Sequence, residues 1–149
     1  MGWQGWQWQQ ARGAKVGTLA QVVGAVLVGL VLAGCAAGLT RDSPDETKRE
    51  MARARAQARW DLVIKGDLAG AYEYLSRSSK QMASRQQYVE RLSKTEWRTA
   101  SVETVECQGE ACKVSVRFTY DHPMMKGVSN TARETWVIAE GQIWLVSSP

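Results

Sequence analysis

From Trp97 onward the apolar residues of this chain recur at every second position; before it they recur at three- and four-residue steps. That switch constrains the fold more than any single motif. A period of two covers one side of a sheet, and a period near 3.6 covers one side of a helix. In "KVSVRFTY" the alternation is strict: Val114, Val116, Phe118 and Tyr120 face one way, and Lys113, Ser115, Arg117 and Thr119 the other. "RETWVIAEGQIWLVSS" reads as a hairpin turning at Glu140-Gly141, with Ile138 opposite Ile143, Trp136 opposite Leu145 and Val137 opposite Trp144. Both faces of that hairpin are apolar, so one covers helices and the other calls for a second partner. A further strand is expected near residues 99–107, and "DHPMMKGVSN" between the strands reads as a loop.

The first half carries helix signals. "SPDE" at residues 43–46 predicts a start, with Ser43 as cap, Pro44 at the first helical position and Glu46 closing a capping box. The helix should run to about Lys65, with Met51, Ala54, Ala58, Leu62 and either Ala52 or Trp60 as its apolar stripe. Gly66 ends it, and Asp67 caps a short second helix, "LAGAYEYLS". A third starts at Ser84, which with Gln87 makes another capping box ahead of Tyr88, Val89 and Leu92. Helices followed by four antiparallel strands is an α+β order. The basic run "KREMARARAQAR" reads as a solvated helix face, or as a surface for anionic lipid.

Upstream lies "VVGAVLVGLVLAGCAAG". The run from Val22 to Leu32 is short for a membrane span, which wants about 20 apolar residues. Arg12 and Lys15 precede it and small residues follow, as in a secretory signal. Leu32-Ala33-Gly34-Cys35 resembles the bacterial lipobox at all four positions. The resemblance implies diacylglycerol transfer to the Cys35 sulfur, cleavage before Cys35 and acylation of the new amine. Two or three acyl chains would hold the chain firmly, where one holds only marginally. Ala36 is not Asp, and the resemblance then implies outer-membrane sorting, with the domain facing the periplasm. The leading "MGWQGWQWQQARG" is biased toward Trp3, Trp6, Trp8 and glutamine; it reads as an extended leader or as an interfacial segment before cleavage.

The implied organisation is a signal peptide at 1–34, a lipidated tether at 35–44 and a domain at 45–149. Removing the leader takes Arg12 and Lys15 away, lowering Lys plus Arg from 19 to 17 against 15 Asp plus Glu, a net +2. So small a charge gives no reason to expect nucleic acid as a partner.

With Cys35 lipidated, Cys107 and Cys112 remain as a pair flanking a Gln-Gly-Glu-Ala turn. A periplasmic or extracellular compartment would oxidise them to a disulfide. Cys-x4-Cys with His122 as the one histidine is not a zinc set, and redox motifs prefer Cys-x-x-Cys. Pairing Cys107 with Cys112 sets Val105 against Val114 but Glu103 against Val116. A bulge between Val102 and Val105 repairs the misfit.

"WDLVIKGDLAGAYEYLS" and "ETWVIAEGQIWLV" resemble the long helix, Gly-Asp break, short Ala-Tyr helix and final hairpin of the nuclear transport factor 2-like superfamily. The resemblance spans residues 45–149. It implies N-terminal helices packed on a curved four-stranded antiparallel sheet, a cone with an apolar pocket, and often a dimer through the open sheet face. Tyr72, Trp97, Phe118, Tyr120, His122 and Trp136 are the candidate pocket residues, with Met124 and Met125 as a lip. Asp121 and His122 are the one acid–imidazole neighbour pair, but adjacent strand residues face opposite ways. No catalytic, cofactor or metal constellation stands out. The expectation is therefore a non-enzymatic envelope lipoprotein that binds a partner protein, a peptide or a small apolar ligand. The alternative is a small pocket enzyme, isomerase- or dehydratase-like, acting on a hydrophobic substrate.

Overall fold

Alanine and arginine dominate Asp45–Lys65, and both favour helix; in the computed structural model, which describes residues 38–147, this segment is α1. Gly66 ends it in the left-handed conformation at φ 79°, where glycine carries no Cβ penalty. The start differs from expectation. Pro44 takes the cap position with no side-chain cap bond, and the Ser43 hydroxyl accepts the Thr40 N–H instead. The apolar stripe is also out of phase with the sequence reading. α1 buries Ala52, Ala56, Trp60 and Val63 together with Lys48 and Arg59, whereas Met51 and Ala54 are exposed. Alternate alanines from 52 to 58 carry no phase information, and the aliphatic stems of Lys48 and Arg59 cover core surface that sequence pattern assigned to water.

Asp67 caps α2 (Leu68–Tyr72), its carboxylate accepting the Gly70 N–H at 2.8 Å. α2 is shorter than "LAGAYEYLS", because the chain turns and a helix absent from the sequence reading follows. This is α3 (Arg77–Met82), capped by Ser76 accepting from the Ser79 N–H. "RSSKQM" has no apolar periodicity, so only the serine cap could have marked it. α4 (Arg85–Ser93) opens with the expected Ser84–Gln87 capping box.

Four strands follow: β1 (Glu96–Gln108), β2 (Ala111–His122), β3 (Met125–Ala139) and β4 (Gln142–Val146), paired antiparallel in that order. The fold is α+β, helices on a four-stranded antiparallel meander. Cys107 pairs with Cys112 and Val105 with Val114, and a register shift between Val102 and Thr104 brings Val102 opposite Val116. Gln108 pairs with Ala111, so the first turn is Gly109-Glu110 alone. Glu140 at φ 53° and Gly141 at φ 77° make the last turn, a two-residue loop with both φ positive. The residues facing across it are those read from sequence. The segment taken for a loop is instead strand: β2 and β3 run out to a tight turn at Pro123-Met124, His122 pairing with Met125. Leu75 bridges to Leu145 in parallel, with Leu145 N–H to Tyr74 O and Ser76 N–H to Leu145 O, so this segment covers the free edge of β4.

The core lies between α1, α2, α4 and one sheet face, where Cys112, Val114, Val116, Trp136, Ile143 and Leu145 are buried. The opposite face carries exposed Lys113 and Arg117 and a Thr99–Thr119 hydroxyl pair at 2.6 Å.

Candidate functional site

Trp60, near the C-terminal end of α1, lies over the sheet where β1 begins and β2 ends. Its ring stacks on Phe118 at 5.2 Å and meets Trp97 edge-on at 5.5 Å. Trp97 in turn contacts Phe118 at 5.4 Å and Tyr120 at 6.1 Å. Three of the six candidate pocket residues, Trp97, Phe118 and Tyr120, are thus gathered, all half-buried. The Trp97 indole N–H is held by the Leu92 carbonyl at the end of α4.

The other three stand apart from this cluster. Tyr72 packs edge-on against Tyr88 at 5.6 Å and donates its hydroxyl to the Ala83 carbonyl at 3.0 Å. Trp136 is fully buried. His122 is exposed at the β2–β3 tip, where its Nδ1 accepts the Met124 N–H at 3.3 Å. Met124 and Met125 are exposed beside it.

Between α1 and the sheet, on the face where a cone-shaped pocket was expected, sits a polar network that the sequence reading missed. Glu134 points from β3 toward α1 and accepts three donors: Arg59 at 2.7 Å, the Trp60 indole at 2.9 Å and the Trp136 indole at 3.0 Å. Arg59 also donates twice to the Tyr88 hydroxyl, at 3.2 and 2.9 Å. Both charged side chains are under a tenth exposed. The sequence signal was available: Glu134 falls on the helix-facing register of an otherwise apolar strand pattern, and an inward acid requires an inward base.

The basic run of α1 is similarly used. Lys48 reaches the Arg41 carbonyl and Asp45, and Arg53 donates to the Val102 carbonyl. Arg55 sits 4.8 Å from the Tyr74 ring centre and 5.0 Å from that of Trp144. Its buried Nε meets no hydrogen-bond acceptor, and burial pushes the guanidinium below its ordinary pKa. Trp144 also borders a groove of about 370 Å3, lined by Leu75, Arg77, Lys80, Ala139 and Glu140 among others. These contacts correct the picture of α1 as a simply solvated basic face.

Asp121 and Glu73 are both held by donors. Asp121 accepts the Gly127 N–H at 2.8 Å and two bonds from Arg98, and these hold its carboxyl below the usual range. Glu73 is held low chiefly by Lys80, with Arg85 adding to it. Among the described residues no three His, Cys, Asp or Glu side chains gather as a metal site, and no helix is long and apolar enough to cross a membrane. Cys107 and Cys112 are joined by a disulfide across the first hairpin. Cys35 and the leader lie outside the described residues.

No protein-family model and no curated relative matches the sequence. Solved structures do resemble the fold. One is a SEC-C motif containing protein from Rhodopseudomonas palustris, with TM-score 0.55, 12% identity and coverage of 63% of this chain and 73% of its own. Another, from Campylobacter jejuni, is described as an NTF2-like transpeptidase, with TM-score 0.49, 8% identity and coverage of 62% and 94%.

Proposed function

We propose that this chain is a non-enzymatic envelope lipoprotein, anchored through Cys35, whose α+β domain is of the nuclear transport factor 2-like kind and binds a partner protein, a peptide or a small apolar ligand. One observation carries the reading. Cys107 and Cys112 are bonded to each other, and the third cysteine is the one in Leu32-Ala33-Gly34-Cys35. A hairpin disulfide belongs to an oxidising compartment, and a lipobox delivers a chain to one. The reading extends to a location on the outer membrane, facing the periplasm.

The non-enzymatic part rests on how the titratable groups are spent. Glu134 accepts three donors and Asp121 is held by Gly127 and Arg98, while His122 stands at an exposed hairpin tip. A general base needs a free lone pair beside a substrate site. The groove beside Trp144, with apolar Leu75 and Ala139 and cationic Lys80 on its walls, offers a surface to a peptide or small ligand.

Growth of the native host with a radiolabelled fatty acid tests the anchor. The wild-type protein should carry label and sediment with membranes; the Cys35→Ala variant should carry none. Label retained in Cys35→Ala, or absent from both, defeats the proposal. Native mass spectrometry of the soluble domain tests the binding role: a bound small molecule or a stable protein complex is expected, and turnover of a substrate would favour the small pocket enzyme.

A further inference from the structure

We infer that the domain stands on the membrane on the end formed by the Glu140-Gly141 and Gly109-Glu110 turns, with the β2–β3 tip directed away from the lipid. This rests on the lipidation of Cys35 proposed above.

The described residues begin at Gly38, three positions after Cys35. Leu39 is buried, and its N–H donates to the Gly141 carbonyl at 2.8 Å. The backbones cross so closely that a Cβ on Gly38 would lie 2.7 Å from the Gly141 Cα. Only Ala36 and Ala37 separate Gly38 from the cysteine. Three residue steps reach at most about 11 Å. A diacylglyceryl group on Cys35 would thus hold the Gly141 turn within a short step of the headgroups.

Topology then sets the rest of the orientation. The β1–β2 turn lies beside the β3–β4 turn, since the Ile138 N–H donates to the Glu110 carbonyl. The β2–β3 turn at Pro123-Met124 is at the other end of the meander. β3 spans Met125–Ala139, 15 residues, so the two ends are separated by roughly 45 Å at about 3.3 Å per residue. α1 lies between them, its Trp60 end at Trp97 and its N-terminal end following Leu39. The groove beside Trp144 borders Glu140, so its mouth lies near the lipid surface, where tryptophan is favoured. Met124 and Met125 are held out toward whatever faces the membrane.

The test uses the acylated mature protein purified from membranes and placed in phosphatidylethanolamine–phosphatidylglycerol vesicles containing a headgroup-nitroxide lipid. The Cys35 sulfur is then blocked and Cys107–Cys112 is oxidised, so Gln142→Cys and Met124→Cys can each take a single fluorophore. The expected result is quenching several-fold stronger at position 142 than at 124. A flexible insertion of about 20 Gly and Ser residues between Ala37 and Gly38 should bring position 142 down to the level of 124. Equal quenching at both sites with the native tether, stronger quenching at 124, or no effect of the insertion overturns the orientation. The intact mass is read first: unacylated protein defeats the lipoprotein reading itself, whereas acylated protein with the wrong quenching pattern defeats only the orientation.

Discussion

The Arg59 guanidinium lies 2.7 Å from the Glu134 carboxylate, and neither side chain is more than 9% exposed. This pair, completed by Tyr88, Trp60 and Trp136, occupies the ground between helix and sheet where a ligand cavity was expected. A buried pair in which each guanidinium nitrogen of Arg59 has an acceptor is a rigid device, and each partner depends on the other.

Glu134→Ala should therefore cost about 3–5 kcal/mol, because it strands a buried guanidinium. Arg59→Met combined with Glu134→Leu should cost much less than the sum of the two single changes. Urea unfolding of the soluble domain, read as a double-mutant cycle, checks this. Additive losses would mean that the two residues are not coupled.

The Cys107–Cys112 bond closes a six-residue loop, so its entropic contribution is modest. Replacing both residues with serine should lower stability by about 2 kcal/mol on the loop-closure model and leave the fold intact. Thermal unfolding with and without reductant measures it. A loss of the sheet's circular dichroism on reduction would contradict this.

Gly38→Ala should cost about 1–3 kcal/mol, since the new methyl meets backbone rather than a side chain that can turn aside. The specific sign is faster hydrogen exchange at the Leu39 amide, whose acceptor is the Gly141 carbonyl. Unchanged exchange at Leu39 would show that the crossing is looser than described.

Acid should loosen the β2–β3 tip. Asp121 is held below its ordinary pKa first by the Gly127 N–H and then by Arg98 and Lys126. A depressed folded-state pKa contributes stability that is fully present above the unfolded value, near 3.9 for Asp, and is lost as pH falls through the lower folded value. Gly127 amide protection should thus persist down through the usual carboxylate range and fail only below it. In Asp121→Ala, which removes the acceptor, it should already be weak at neutral pH. Protection that fails well above pH 4 in the wild type would contradict the assignment.

Much of the sheet was legible because strand signals are local. Val114 and Val116 alternate with polar residues, and Glu140-Gly141 names its own turn. The bulge between Val102 and Thr104 followed from matching Cys107 to Cys112 and asking which residue then misfits. The helix face was harder to read: alanines at every second position suit any phase, and Arg59 and Lys48 bury long apolar stems that a hydropathy pattern counts as polar. α3 carries only a serine cap as its signal. The candidate site was the least legible part. Trp97, Phe118 and Tyr120 lie on neighbouring strands and meet through pairing, but Tyr72 and Trp136 are placed by tertiary packing that no window of sequence contains. Glu134 stood in view as an acid on an inward register, and its partner Arg59 lies 75 residues away.

The claim on which compartment, disulfide and orientation all depend is chemical modification at Cys35. Intact-mass and N-terminal peptide analysis of the mature protein from native membranes tests it directly. A chain beginning at Cys35 and carrying a diacylglyceryl group on sulfur is the predicted result; a chain that still begins with Met1 or Gly2 and carries no acyl group would contradict the account.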